Sequence, residues 1–291
     1  MIKGIITKGI GGFYYIEANG IIYECRARGR LRKEKIIPLV GDKVMATIDC
    51  KSAKGVIEEI LERDTELIRP PVANVDQVVI VFAIQQPDPN LGLLDRFLVM
   101  AESEMLDITI CFNKIDLDNY NRVQELKNIY MHANYHVITT STKHNIGIDA
   151  FKEILKDKVT VFAGPSGVGK SSLLNTTQPN LALKTGEISQ KNERGKHTTR
   201  HVELLELDFG GWVVDTPGFS SLDIDYIEVE ELQYLFREFL PFIGDCKFKG
   251  CQHVNEPNCA IKERVFENKI CQSRYDSYLQ LLQKINQKRR Y

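Results

Sequence analysis

The chain has 291 residues, with 38 Lys+Arg against 39 Asp+Glu for a net charge of -1, and 43% hydrophobic and 9% aromatic residues. This balance excludes disorder as the main state, and the length predicts two or three folded units. A near-zero charge means that a polyanionic partner must be met by a local patch rather than by the chain as a whole. The longest apolar run, Val78 to Ile84, is far short of the roughly 20 residues of a membrane-spanning helix. The opening MIKGIITKGIGG has neither the apolar core nor the cleavage site of a secretory signal, so no membrane partner and a cytoplasmic location are expected. Of the 7 cysteines, Cys25, Cys50 and Cys111 stand alone in strand-like sequence, where buried, reduced thiols are expected.

Residues 1–68 carry five short β-like stretches: Gly4 to Ile10, Gly12 to Glu17, Ile21 to Arg26, Lys43 to Asp49 and Gly55 to Leu61. Five strands in so short a span predict a small closed barrel, with an OB-fold leading and an SH3-like barrel as the alternative of equal strand count. Between the third and fourth strands, Arg26 to Lys35 holds six basic residues and one acid. Over residues 1–57, 11 Lys+Arg less 5 Asp+Glu leave +6. Such a run is either a solvated loop or, on an OB-type barrel, a phosphate-contacting surface. Phe13, Tyr14, Tyr15 and Tyr23 either stack on bases or fill the barrel, and Lys284, Lys288, Arg289 and Arg290 near the chain end offer further phosphate contacts.

Arg69, Pro70 and Pro71 mark a boundary, since consecutive prolines continue neither a ladder nor a helix. Over residues 72–222, apolar runs at Val75 to Ile84, Asp107 to Phe112, Tyr135 to Thr139, Val159 to Ala163, Val202 to Leu207 and Trp212 to Val214 alternate with helix-like segments such as Leu91 to Glu104 and Asn121 to His132. This α/β alternation predicts a mainly parallel sheet covered on both faces. Residues 223–291 lose the strand pattern and predict a small, mostly α-helical unit.

Gly164, Pro165, Ser166, Gly167, Val168, Gly169, Lys170 and Ser171, continued by Ser172, match the phosphate-loop pattern between a strand and a helix. Glycines let successive amides turn toward phosphate oxygens at a helix N-terminus, Lys170 reaches the β- and γ-phosphates, and the Ser171 hydroxyl suits Mg²⁺. Asn113, Lys114, Ile115 and Asp116 follow another apolar strand. A carboxylate at Asp116 accepts from both the N1–H and the 2-amino group of guanine, a donor pair that adenine lacks. The alternative is an ordinary strand-to-helix turn. Ser141 and Thr142 suit backbone contacts to the guanine O6. Asp215 to Gly218, DTPG, matches the element that binds Mg²⁺ through water and senses a γ-phosphate. The polar segment Gly186 to Arg200 suits a switch loop, with Thr199, or its neighbour Thr198, as the metal-binding hydroxyl. Phe219 stands where many GTPases have the water-orienting glutamine. His197 is therefore the candidate catalytic group, the alternative being a solvated loop histidine.

The guanine element precedes the phosphate loop, the reverse of the ordinary GTPase order, which predicts a circular permutation. Downstream, Cys246, Cys251, His253 and Cys259 form a compact Cys3His set suited to one four-coordinate structural zinc, with Cys271 a bystander.

With NKID, GPSGVGKSS, GKHTTR, DTPGF and the Cys3His cluster in that order, the chain resembles the circularly permuted GTPases of the RsgA (YjeQ/YloQ) family over essentially its full length. The resemblance implies a GTPase stimulated by the 30S ribosomal subunit and acting late in its maturation. It implies contacts with 16S rRNA and ribosomal proteins through the barrel and the zinc unit. It also implies a hydrophobic residue in place of the catalytic glutamine, matched by Phe219, and a switch histidine, matched by His197. GTP and GDP with Mg²⁺, a monomeric chain and competition by guanine-nucleotide alarmones belong to the same expectation. The alternative is an RNA-binding protein whose guanine-nucleotide site is regulatory, with little turnover.

Overall fold

In a computed structural model of the chain, residues 1–49, 52–68, 70–181, 183, 202–215 and 224–288 are described. The N-terminal stretches form β1 (Ile2–Ile10), β2 (Phe13–Ala18), β3 (Ile21–Ala27), β4 (Lys43–Asp49) and β5 (Lys54–Ile60). The first three run as an antiparallel meander, β3 pairs β5 in parallel, β5 pairs β4, and β4 returns to β1. That closed order is the OB-fold rather than the SH3-like alternative, and it leaves the barrel without a free edge. Ile6, Ile16, Cys25, Val44, Ala46 and Ile57 fill it. Burial pushes the Cys25 thiol up to about 11, as expected of an inert core cysteine.

The basic stretch is not the plain loop expected between strands. Arg26 belongs to β3, and Gly29–Lys33 forms a short helix, α1, because Leu31 turns into the barrel while Arg30 and Lys33 stay outside. Arg26 lies 4.4 Å over the Phe13 ring, and Arg28 pairs with Glu58. Tyr14 and Tyr23 are half-buried and pack against the core.

Beyond the barrel, β6 (Glu66–Leu67) and β7 (Val72–Ala73) form a hairpin across the double proline, so the prolines turn the chain but strand structure resumes at once. Arg63 fixes this connection. Its Nε and Nη2 donate to the two oxygens of the fully buried Asp42 at 2.7 and 2.9 Å, and Nη1 donates to Glu66 at 2.6 Å.

The α/β layer contains β8 (Gln77–Ala83), β9 (Asp107–Asn113), β10 (His136–Thr139), β11 (Val159–Ala163), β12 (Glu203–Glu206) and β13 (Trp212–Asp215). Their order is β10-β9-β8-β11-β13-β12, parallel except for β12. Val78, Ile80 and Phe82 face the core beneath α2 (Leu91–Ser103) and α3 (Arg122–His132). Val79, Val81 and Ala83 face α4 (Ile148–Leu155) and α5 (Lys170–Thr177). Both faces are covered, as the apolar runs require. Burial raises the Cys111 thiol on the second face to about 12. The barrel joins this sheet edge to edge, with β1 antiparallel to β12 at Lys8 and Glu203, whose side chains pair at 2.7 Å.

From residue 224 onward, 3₁₀ turns at Leu232–Leu235 and Ile243–Asp245 precede α6 (Ala260–Phe266) and α7 (Gln272–Lys288). No helix among the described residues is long and apolar enough to cross a membrane.

Removing the Arg63 guanidinium strands a buried carboxylate, so Arg63→Met is expected to lower stability by about 3 kcal/mol. Chemical denaturation followed by tryptophan and far-UV signals checks this, and an unchanged midpoint would contradict it.

Candidate nucleotide site and metal centre

The loops leaving the C-terminal ends of β8, β9 and β11 meet at one edge of the sheet, where the strand order switches direction. The phosphate loop passes so close to β8 that a Cβ on Gly164 would lie 2.1 Å from the Val81 carbonyl oxygen. Gly169 has φ +99 and its Cβ would fall 2.4 Å from Asn113 Nδ2. Only glycine fits either place. Lys170 opens α5, and its ammonium donates at 2.7 Å to the carbonyls of both Gly164 and Pro165. Burial lowers Lys170 to about 8, a penalty that a phosphate alongside would offset. Ser171 and Val168 are buried and Ser172 half-buried behind the loop.

Asn113 ties the two motifs together. Its Nδ2 donates to the Val168 carbonyl at 2.9 Å, and its Oδ1 accepts from the Thr140 hydroxyl at 3.0 Å. Lys114, in a left-handed conformation, donates to Gly167 O at 2.7 Å and to Gln86 O. It thus braces the phosphate loop from the other side. Ile115 starts a 3₁₀ turn, Ile115–Leu117, that carries Asp116. Ser141 is fully buried, is bridged to Ile146 through both backbone bonds, and donates its hydroxyl to Asp116 Oδ1 at 2.6 Å. That bond is the main reason the Asp116 carboxyl lies below the usual carboxylate range, against the opposing effect of burial. The carboxylate is therefore ionised at neutral pH and held in one orientation, which an acceptor for two adjacent donors needs. Thr142 is half-buried beside Ser141. Asp215 ends β13, next to β11. His197, Thr198, Thr199, Gly218 and Phe219 lie outside the described residues, as do Cys50, Arg69, Arg289 and Arg290.

In the C-terminal part, one donor atom from each of Cys246, Cys251, His253 and Cys259 lies within 4.8 Å of all the others. The measured separations are 3.3 Å from His253 Nδ1 to Cys259 Sγ, 3.6 Å from Cys246 Sγ to His253 Nδ1, and 4.0 Å between the Cys246 and Cys259 sulfurs. A tetrahedral zinc with three thiolates and one imidazole separates its donors by about 3.5 Å. The set fits that metal and leaves no position for water. Sequence reading missed what supports it. Gln233 Oε1 lies 2.9 Å from His253 Nε2, so it takes the Nε2 proton and leaves Nδ1 free to ligate. Tyr275 and Tyr278, one turn apart on α7, donate to the carbonyls of His253 and Gln252 at 2.6 and 3.0 Å. Glu256 accepts the amides of Gln252 and Val254, each at 2.8 Å. Cys271 stands outside the cluster.

A phosphate loop on β11, a guanine-type element on β9 that comes earlier in the chain, and an OB barrel joined to the same sheet define a circularly permuted GTPase. The RsgA GTPase family model matches residues 60–225, and the RsgA N-terminal domain model matches residues 3–57. The chain belongs to the RsgA GTPase family. It is 54% identical to the small ribosomal subunit biogenesis GTPase RsgA of Alkaliphilus metalliredigens, over all of both chains. It is 52% identical to that of Caldanaerobacter subterraneus, over all of this chain and 98% of the other. Among solved structures it is similar to YloQ, described as a circularly permuted GTPase, with TM-score 0.84 and 41% identity over 99% of this chain and 96% of that one. It is also similar to YjeQ from Thermotoga maritima, with TM-score 0.85 and 38% identity over 98% of each.

Ser141→Ala removes the strongest group holding Asp116 acidic. In a ¹³C carboxyl NMR titration the Asp116 midpoint is expected to rise toward the ordinary carboxylate value, and an unmoved midpoint would show that Ser141 does not orient it.

Proposed function

We propose that this GTPase works on the small ribosomal subunit, hydrolysing GTP faster when bound there and leaving the subunit late in its maturation. The nucleotide part of this reading is supported by the Asn113 tie, which holds the phosphate loop against the β9 loop that carries Asp116, and the ribosomal part by the relatives named small ribosomal subunit biogenesis GTPases. In this reading Asp116 takes the N1–H and 2-amino donors of guanine, Lys114 covers the purine face, and Ser141 and Thr142 close the base pocket. The amides of Gly164 to Ser172 and the Lys170 ammonium hold the phosphates. Ser171 and Thr199, with Asp215 through a water, would hold Mg²⁺, which when bound would supply charge neutralisation to the phosphates. The Gly218 amide senses the γ-phosphate, and His197 orients the attacking water in place of the glutamine that Phe219 replaces.

The division of labour follows three units, residues 1–68, 72–222 and 223–291. The first and last grip 16S rRNA and ribosomal proteins, and a structural Zn²⁺ on Cys246, Cys251, His253 and Cys259 holds the last one folded. The net +6 over residues 1–57 (11 Lys+Arg less 5 Asp+Glu) supports a barrel that meets the phosphate backbone of RNA. The protein acts as a cytoplasmic monomer, and guanine-nucleotide alarmones compete for the base site because they present the same donor pair to Asp116.

Phosphate release from GTP, with and without purified small subunits, tests this directly. Stimulation of at least about tenfold is expected, falling steeply as salt rises; none at any salt would remove the ribosomal assignment. Full cellular function of both Lys170→Ala and His197→Ala would favour the regulatory-site alternative. For the metal, a strong zinc chelator is expected to release one zinc per chain and unfold the C-terminal unit, while Gln233→Ala weakens zinc binding about 10- to 100-fold. Unchanged far-UV signal and zinc content after chelation would contradict a structural ion.

A further inference from the structure

Arg274, in the first turn of α7, is 1% exposed although its side chain is among the largest in the fold. Its Nε and Nη2 donate to the two oxygens of Glu238 at 2.6 and 3.2 Å, and its Nη1 donates to Asp95 Oδ1 at 2.6 Å. Tyr130 adds its hydroxyl to the same Asp95 oxygen at 3.0 Å, and the guanidinium lies 4.7 Å from the Phe236 ring centre. Asp95 comes from α2 and Tyr130 from α3, whereas Glu238 and Arg274 come from the C-terminal part. A second arginine follows the same path. Arg237 pairs with Glu102 near the far end of α2 at 2.5 Å and donates to the Asn134 carbonyl at 3.2 Å.

Buried ion pairs are seldom the most stabilising way to fill a contact, since well-packed apolar groups serve as well or better. Their distinctive property is direction: a planar fork donates to carboxylates only at set angles. The segment entering α2 reaches the nucleotide edge, where Lys114 bonds both Gln86 O and Gly167 O of the phosphate loop. Helix α2 therefore touches the nucleotide loops through its lead-in and the C-terminal unit along its length.

We propose that Arg274 is a positioning residue for stimulated hydrolysis, locking the Cys3His unit to α2 at one angle so that a partner held by that unit also holds the nucleotide loops. This rests on the small-subunit reading above. The test replaces the whole network by apolar groups of similar size, Asp95→Leu with Tyr130→Phe, Glu238→Met and Arg274→Met, so that no charge is left buried alone. Full-length variant and wild type are compared for zinc content, basal GTPase rate, and the rate and half-saturation with small subunits. Basal rate within about twofold, half-saturation within about threefold and a stimulated kcat at least about tenfold lower are expected, because binding surfaces persist while their geometric link is lost. Should this variant be unstable, Arg274→Lys, which keeps the charge without the fork, carries the same test with the same expected split. Full stimulation of the variant with wild type also stimulated would overturn the role of Arg274 alone. A wild type that small subunits do not stimulate would overturn the reading beneath it.

Discussion

The parallel pairing of β8 with β9 on one side and β11 on the other is the constraint on which the nucleotide edge depends. Because all three strands point the same way, the loops leaving their ends converge, and Asn113 can cross to Val168 while Lys114 reaches Gly167. Neighbours in the sheet fix this site, whatever their order in the chain. A permutation that moves the guanine element ahead of the phosphate loop therefore leaves its geometry intact. Gly164 and Gly169 are the places where that convergence is tightest, each leaving no room for a Cβ.

The permutation changes what the sheet is attached to. Strand β13, which ends at Asp215, now leads toward the C-terminal unit, while β12 beside it receives the barrel through β1. Edge strands invite unwanted pairing, and the barrel covers this one. On the helical side, α2 is buried on most of its surface because it lies between the sheet and the C-terminal unit. The nucleotide layer is thus held from two directions, by an edge-to-edge strand contact and by a buried ionic lock.

Much of this was legible in sequence. The apolar runs of residues 75–84 and 159–163 marked strands β8 and β11 because a strand buried on both faces has no polar alternation. NKID, the phosphate loop and the Cys3His spacing were legible because each is local, its chemistry set by residues a few positions apart. What stayed hidden is long-range. Gln233 lies 20 residues before the histidine it orients, and Arg274 bonds a carboxylate 179 residues away; neither has a local pattern. Helix α1 was masked by charge, since Leu31 is the one fully apolar large side chain in RARGRLRKEK and it is buried. The bond from the Ser141 hydroxyl to Asp116 stayed hidden too, because the sequence pointed only to backbone contacts with the guanine O6 there.

The permuted chain ties the phosphate loop and the Asp116 loop together at one edge of the sheet, an arrangement suited to guanine and phosphate at once. Equilibrium titration of the full-length protein with GDP and with ADP, each with Mg²⁺, measures this most directly. A carboxylate matched to two guanine donors is expected to favour GDP by at least about a hundredfold. Equal affinity for the two nucleotides would contradict the site described here.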